Sequence, residues 1–178
     1  GSNGIAILPE VVFASPIRGA VIVNNDITII KEGTFLRGLN MSDGFNIIWS
    51  FTDGSPIKGS PAVHMNMVVF GTSNKNLFSL SLLTGAPPVW SANLGGHKPK
   101  SPVATTNGTT FFMSSGNSNK IFAYSSVGVE SWSLSLQNTP VDSEIIVHEG
   151  ALFIGDDGGV FYSIDNPPPE PCTTPDDD

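Results

Sequence analysis

Ser60-Pro61-Ala62-Val63, Met67-Val68-Val69-Phe70, Leu77-Phe78-Ser79-Leu80 and Pro88-Val89-Trp90-Ser91 are four short apolar runs with Gly, Ser, Asn and Pro between them. Each run has the length of a β-strand, and the intervening residues are those that favour tight turns. No helical spacing of apolar residues links one run to the next. The stretch therefore predicts a four-stranded antiparallel unit of about 40 residues.

The unit recurs on both sides. Trp49, Trp90 and Trp132 each stand near the end of a fourth run, separated by 41 and 42 residues. Ser15-Pro16-Ile17-Arg18-Gly19-Ala20 matches Ser55-Pro56-Ile57-Lys58-Gly59-Ser60, with weaker echoes at Pro99-Lys100-Ser101-Pro102 and Pro140-Val141-Asp142-Ser143. The third unit reads as Val103, Phe111-Phe112-Met113, Ile121-Phe122-Ala123-Tyr124 and Glu130-Ser131-Trp132-Ser133. The fourth reads as Glu144-Ile145-Ile146-Val147, Ala151-Leu152-Phe153-Ile154 and Val160-Phe161-Tyr162-Ser163. A period near 40 with four strands per unit is the pattern of propeller blades rather than of a helical solenoid. The expectation is an all-β propeller of about four four-stranded blades over residues 1–165.

The fourth unit lacks its last strand, because Asp165-Asn166 runs into Pro167-Pro168-Pro169, which cannot donate ladder hydrogen bonds. Pro9-Glu10-Val11-Val12-Phe13-Ala14 precedes Ser15-Pro16-Ile17 as Ile47-Ile48-Trp49-Ser50-Phe51 precedes the second copy of that motif. The N-terminal run is thus expected to complete the last blade and cover a sheet edge. The alternative is that the four blades are half of an eight-bladed ring, completed by a second copy or by further chain. Residues 166–178, rich in Pro, Thr and Asp, read as a stiff linker or tail.

Composition agrees with this class. Of 178 residues only 13% are charged, while Gly (19) and Pro (14) are plentiful. A net charge of −8 opposes nucleic acid and anionic membrane surfaces. No apolar run approaches the ~20 residues of a membrane span, and Gly1-Ser2-Asn3-Gly4 shows neither the basic start nor the apolar core of a signal peptide. The lone Cys172 excludes an internal disulfide and leaves an intermolecular bridge or an inert thiol. Asn40-Met41-Ser42 and Asn107-Gly108-Thr109 are glycosylation triplets if the protein is secreted by a eukaryote.

The run Leu77-Phe78-Ser79-Leu80-Ser81-Leu82-Leu83-Thr84-Gly85-Ala86-Pro87-Pro88-Val89-Trp90, preceded by Gly59-Ser60-Pro61-Ala62-Val63 and Val68-Val69-Phe70-Gly71-Thr72, resembles a PQQ-like repeat. The resemblance is close over residues 55–95 and looser over the flanking units. The family's Asp before the Thr-Gly turn is replaced by Ser81 here and by Ser125-Ser126 in the third unit. Quinoprotein dehydrogenases of that family carry more blades, a vicinal cysteine pair and a calcium site, none of which this sequence matches. The resemblance therefore implies no cofactor and no enzymatic role. It implies instead a scaffold or recognition module of an envelope, cell-surface or secreted protein, with a protein partner or a second copy as its ligand.

The residues offer few catalytic constellations. His64 and His148 follow first strands and His97 lies in a connection, so the three are not expected to form a metal site. Asp156-Asp157-Gly158-Gly159 reads as a hairpin turn. One group stands out: Arg18, Lys58, Lys100 and Asp142 occupy one repeat position beside the repeated Pro, ahead of the first strand. First strands line a propeller axis, so these four are expected to ring one mouth. There they would form either a solvated rim or a site for a small anion or carbohydrate.

Overall fold

The computed structural model describes residues 12–18, 21–99, 104–106, 110–115, 118–137 and 143–165. Its strands fall into four antiparallel sheets, each ordered as in the sequence. Blade one holds β1 (Ile22–Asn24), β2 (Ile27–Glu32), β3 (Phe35–Asn40) and β4 (Asn46–Phe51). Blade two holds β5 (Ile57–His64), β6 (Met67–Thr72), β7 (Asn76–Ser81) and β8 (Gly85–Asn93). Blade three holds β9 (Ala104–Thr106), β10 (Thr110–Ser114), β11 (Lys120–Ser125) and β12 (Glu130–Ser135). Among the described residues blade four has β13 (Ile146–His148), β14 (Ala151–Gly155) and β15 (Phe161–Asp165), the three strands read in the fourth unit. Among the described residues there is no helix long and apolar enough to cross a membrane.

The first strands of successive blades touch, β1 to β5, β5 to β9 and β9 to β13, and so form the inner wall. Each is more irregular than the sequence suggested. In blade two Ile57 pairs with Thr72 and Lys58 with Gly71, yet the next pair is Ala62 with Val69. The first strand thus spends two extra residues at Gly59-Ser60-Pro61, a bulge that suits Pro because no ladder donor is needed there. The same skip recurs between the Ile17–Glu32 bridge and the Ile22–Ile29 pair, and between the Pro99–Ser115 bridge and the Ala104–Phe112 pair. Lys58 consequently lies inside the first strand, before its bulge, rather than ahead of it. His64 and His148 are likewise the last residues of β5 and β13 rather than residues that follow them.

Three apolar clusters hold successive blades together. The first joins Ile27, Ile29, Leu36 and Trp49 of blade one to Val68, Phe70, Phe78 and Leu80 of blade two. Phe51 seals it, with its ring 5.6 Å from Phe70 and 5.0 Å from Phe78. The second joins Val69 and Leu77 to Phe122 and Tyr124, and the third joins Ile121 and Ala123 to Leu152 and Ile154. Both faces of blade two are therefore buried, which is why β6 and β7 are near-continuous apolar runs rather than alternating ones. Among the described residues no cluster joins blade four to blade one. The closing strand expected from Pro9–Ala14 falls partly on residues 9–11, outside the described residues, and Val12 to Ala14 lie in no strand. The tail, 166–178, is also outside them.

Tryptophan and glycine form the interlock. The Trp49 indole N–H donates to the Leu82 carbonyl of blade two at 2.8 Å, and a Cβ on Gly85 would stand 2.7 Å from the indole. Trp90 repeats this in blade three, donating to the Ser126 carbonyl at 2.8 Å over Gly128. Gly85 and Gly128 have φ of 67° and 82°, so glycine is required twice over, by the turn and by the ring above it. Ser81 takes the place of the family's Asp, its hydroxyl accepting from the amides of Leu83 and Thr84. Trp49 is buried, whereas Trp90 and Trp132 are half-buried.

Candidate functional site: a basic cleft and an open blade face

Two of the four charged residues singled out in the sequence come together. Arg18 and Lys58 line one cleft between blades one and two, whose other walls are Ser15, Pro16, Lys31, Gly33, Thr34, Pro56 and Ile57. Its volume is about 460 Å³. The Arg18 amide donates to the Lys31 carbonyl at 3.2 Å, which holds residues 17–18 along the end of β2 just as Ile57-Lys58 lies along the end of β6. Lys100 and Asp142, the other two members of the expected ring, lie outside the described residues.

Lys31 is the member that sequence reasoning missed. By register it stands where blade two has Gly71 and blade four has Gly155. At Gly71 the Pro99 ring of the following blade fills the space, so that a Cβ would meet it at 2.4 Å. At the blade one and two junction the same place holds a lysine side chain, whose Nζ donates to the Gly59 carbonyl at 2.9 Å. Partial burial, and then the neighbouring Lys58 ammonium, hold the Lys31 pKa below its ordinary value of 10.5. Only the strand register sets this Lys against Gly71 and Gly155, with Ser114 at the same place in blade three.

Among the described residues no carboxylate lines the cleft. Glu32, the nearest acid in sequence, is buried on the opposite face of β2, where Arg37 Nε donates to it at 2.5 Å and the Ser15 amide at 3.0 Å. A second local staple lies below the cleft. Asp53 accepts from the Ser55 amide and hydroxyl at 2.9 and 2.7 Å and from the Thr72 hydroxyl at 2.7 Å. Burial by itself would raise this carboxyl, but the Thr72 and Ser55 hydrogen bonds outweigh it and hold the pKa below 3.8.

The remaining candidates disperse. His97 shares a hydrogen bond of 2.9 Å with the Ser118 hydroxyl, and its ring lies 5.2 Å from that of Phe122 at a tilt of 53°, far in the chain from His64 and His148. Among the described residues no three His, Cys, Asp or Glu side chains converge. Asp156 caps the β14–β15 turn, accepting from the Val160 amide and the Tyr162 hydroxyl. Asn40 ends β3 and uses its Oδ1 to accept from the Ser42 amide, which leaves the triplet in an exposed turn. Asn107 and Cys172 lie outside the described residues.

The far face of blade four is the second unusual surface. Ile146 is 64% exposed and Phe161 71%, with the Phe161 ring stacked 6.1 Å from that of Phe153. By register these three residues match Ala62, Leu77 and Val69 of blade two, and there Leu77 and Val69 are fully buried against blade three.

No protein-family model and no curated protein matches this sequence. Solved structures do match in shape. BamB from Moraxella catarrhalis superposes with a TM-score of 0.72 at 17% identity, over 85% of this chain and 47% of that one. The computationally designed Ika4 protein gives 0.75 at 13% identity, over 90% of this chain and 97% of that one. The quinohemoprotein alcohol dehydrogenase ADHIIG from Pseudomonas putida HK5 gives 0.68 at 14%, over 82% and 29%. The chain thus spans about half the length of BamB and less than a third of the dehydrogenase. At these identities the likeness is one of fold, and it shows an all-β propeller.

Proposed function

We propose that this chain is a non-catalytic docking module of a larger secreted, cell-surface or envelope protein, and that it self-associates through the outer face of blade four. The observation that carries the reading is Phe161, 71% exposed at a position that is 0% exposed in blade two as Leu77. Exposed apolar patches rimmed by polar residues mark association surfaces, and here Ser163, Asp165 and His148 flank Ile146 and Phe161 on the same face of the sheet. The chemistry that fits is another blade of the same repeat, since that is what covers the matching positions elsewhere. Blade one presents no such receiving face, because Thr28, Ile30 and Leu39 are already buried. Blade four of a second copy is the remaining match, an isologous contact of the commonest symmetry. The linker composition of residues 166–178 supports a tethered module.

Sedimentation equilibrium across a hundredfold range of concentration tests the reading. The wild-type chain is expected to shift from monomer to dimer, and Phe161→Ser to remain monomeric with unchanged tryptophan fluorescence. A wild-type monomer at every concentration would overturn self-association. If Phe161→Ser also unfolded such a monomer more easily, the face would be covered from within the chain.

A further inference from the structure

We infer that the cleft between blades one and two is a binding site for a sugar-sized phosphate or sulfate ester, held by Arg18, Lys31 and Lys58. The inference is independent of blade four and of self-association. Three cations converge here in a protein of net charge −8, so they draw on a minority of its eight basic residues. None of the three has an acidic partner among the described residues. Lys31 and Lys58 line the same cleft, and the repulsion between them is one that an anion between them relieves.

The repeat shows that the lysine in this cleft is a local departure. Where blades two and three meet, the Pro99 ring lies over Gly71; where blades one and two meet, Lys31 and Ile57 stand in those places and line the cleft. The donors come from separate segments: Arg18 from the chain ahead of β1, Lys31 from β2 and Lys58 from β5. Three cations from three segments suit the three terminal oxygens of a tetrahedral ester better than the two of a planar carboxylate. Ser15 and Thr34 add hydroxyl donors, and Pro16, Pro56 and Ile57 supply apolar wall for the organic part. A volume of about 460 Å³ falls in the range of small-molecule sites and exceeds what an inorganic ion needs.

Titration of the full chain with glucose 6-phosphate, glucose 6-sulfate, inorganic phosphate and glucose, followed by amide NMR and calorimetry, tests this. Saturable shifts confined to residues around 15–18, 31–34 and 56–59 are expected with the esters and not with glucose. Lys31→Gly, which places there the residue of blades two and four, and Lys58→Gln are each expected to weaken binding about tenfold or more. Preference between the two esters assigns the natural head group. The proposal is overturned if neither ester saturates, or if Arg18→Gln, Lys31→Gly and Lys58→Gln combined bind as wild type does. Unchanged tryptophan fluorescence in the variants separates loss of binding from loss of fold.

Discussion

Leu77 in blade two and Phe161 in blade four hold the same place in their sheets, in the third strand opposite a glycine, Gly71 or Gly155. Leu77 is fully buried and Phe161 is 71% exposed. The larger and more apolar side chain is the exposed one, so residue type does not decide burial here. The presence of a following blade does. Blade two is clamped from both sides by Trp49 entering and Trp90 leaving, whereas blade four receives blade three and offers an uncovered face.

The junction side of that contrast breaks most sharply at Trp49. Trp49→Ala removes a buried indole and its hydrogen bond to Leu82, and urea unfolding is expected to show a loss of about 3–5 kcal/mol. A loss below about 1 kcal/mol would mean that the blades are not locked through this ring.

A smaller effect is expected at Asp53 of the same junction. Asp53→Ala strips three hydrogen bonds from a carboxylate, worth about 1–3 kcal/mol together. Because the folded pKa lies below the ordinary value of 3.8, the contribution is present above that value and is lost as the pH falls through the folded pKa. Wild type and variant should therefore differ at pH 6 and converge at about pH 2, as thermal melts at the two pH values would show. A difference that persists in acid would assign the effect to packing.

The smallest effect belongs to the open face. Phe161→Ala should change the stability of the dilute monomer by about 0.5 kcal/mol or less, the range for surface substitutions. A loss as large as that at Trp49 would show that the face is covered in solution and would erase the contrast between the two blades.

Much of the fold was legible because its signals are local. Strand length, turn residues and the 40-residue period are properties of consecutive residues, and the described sheets follow them closely, down to the three strands of the fourth unit. The pairing of Arg18 with Lys58 was half legible, since both stand beside the repeated Pro. Lys31 was not, because it carries no motif and only the register of β2 against β1 shows that it replaces a glycine.

The sequence by itself thus determined the repeat, the strand order and the positions of tryptophan and Thr-Gly turn within each unit. It could not say which tryptophan meets which turn. Tertiary structure decided that the Trp49 indole seats on Gly85 and the Trp90 indole on Gly128, one blade ahead of each. It also decided that Lys31 shares a cleft with residues of two segments, and that Phe161 stays exposed. The physical reason is common to all three. Strand formation depends on neighbours along the chain, but burial and electrostatic proximity depend on which sheet packs against which, and identical repeat positions acquire different surroundings at each junction.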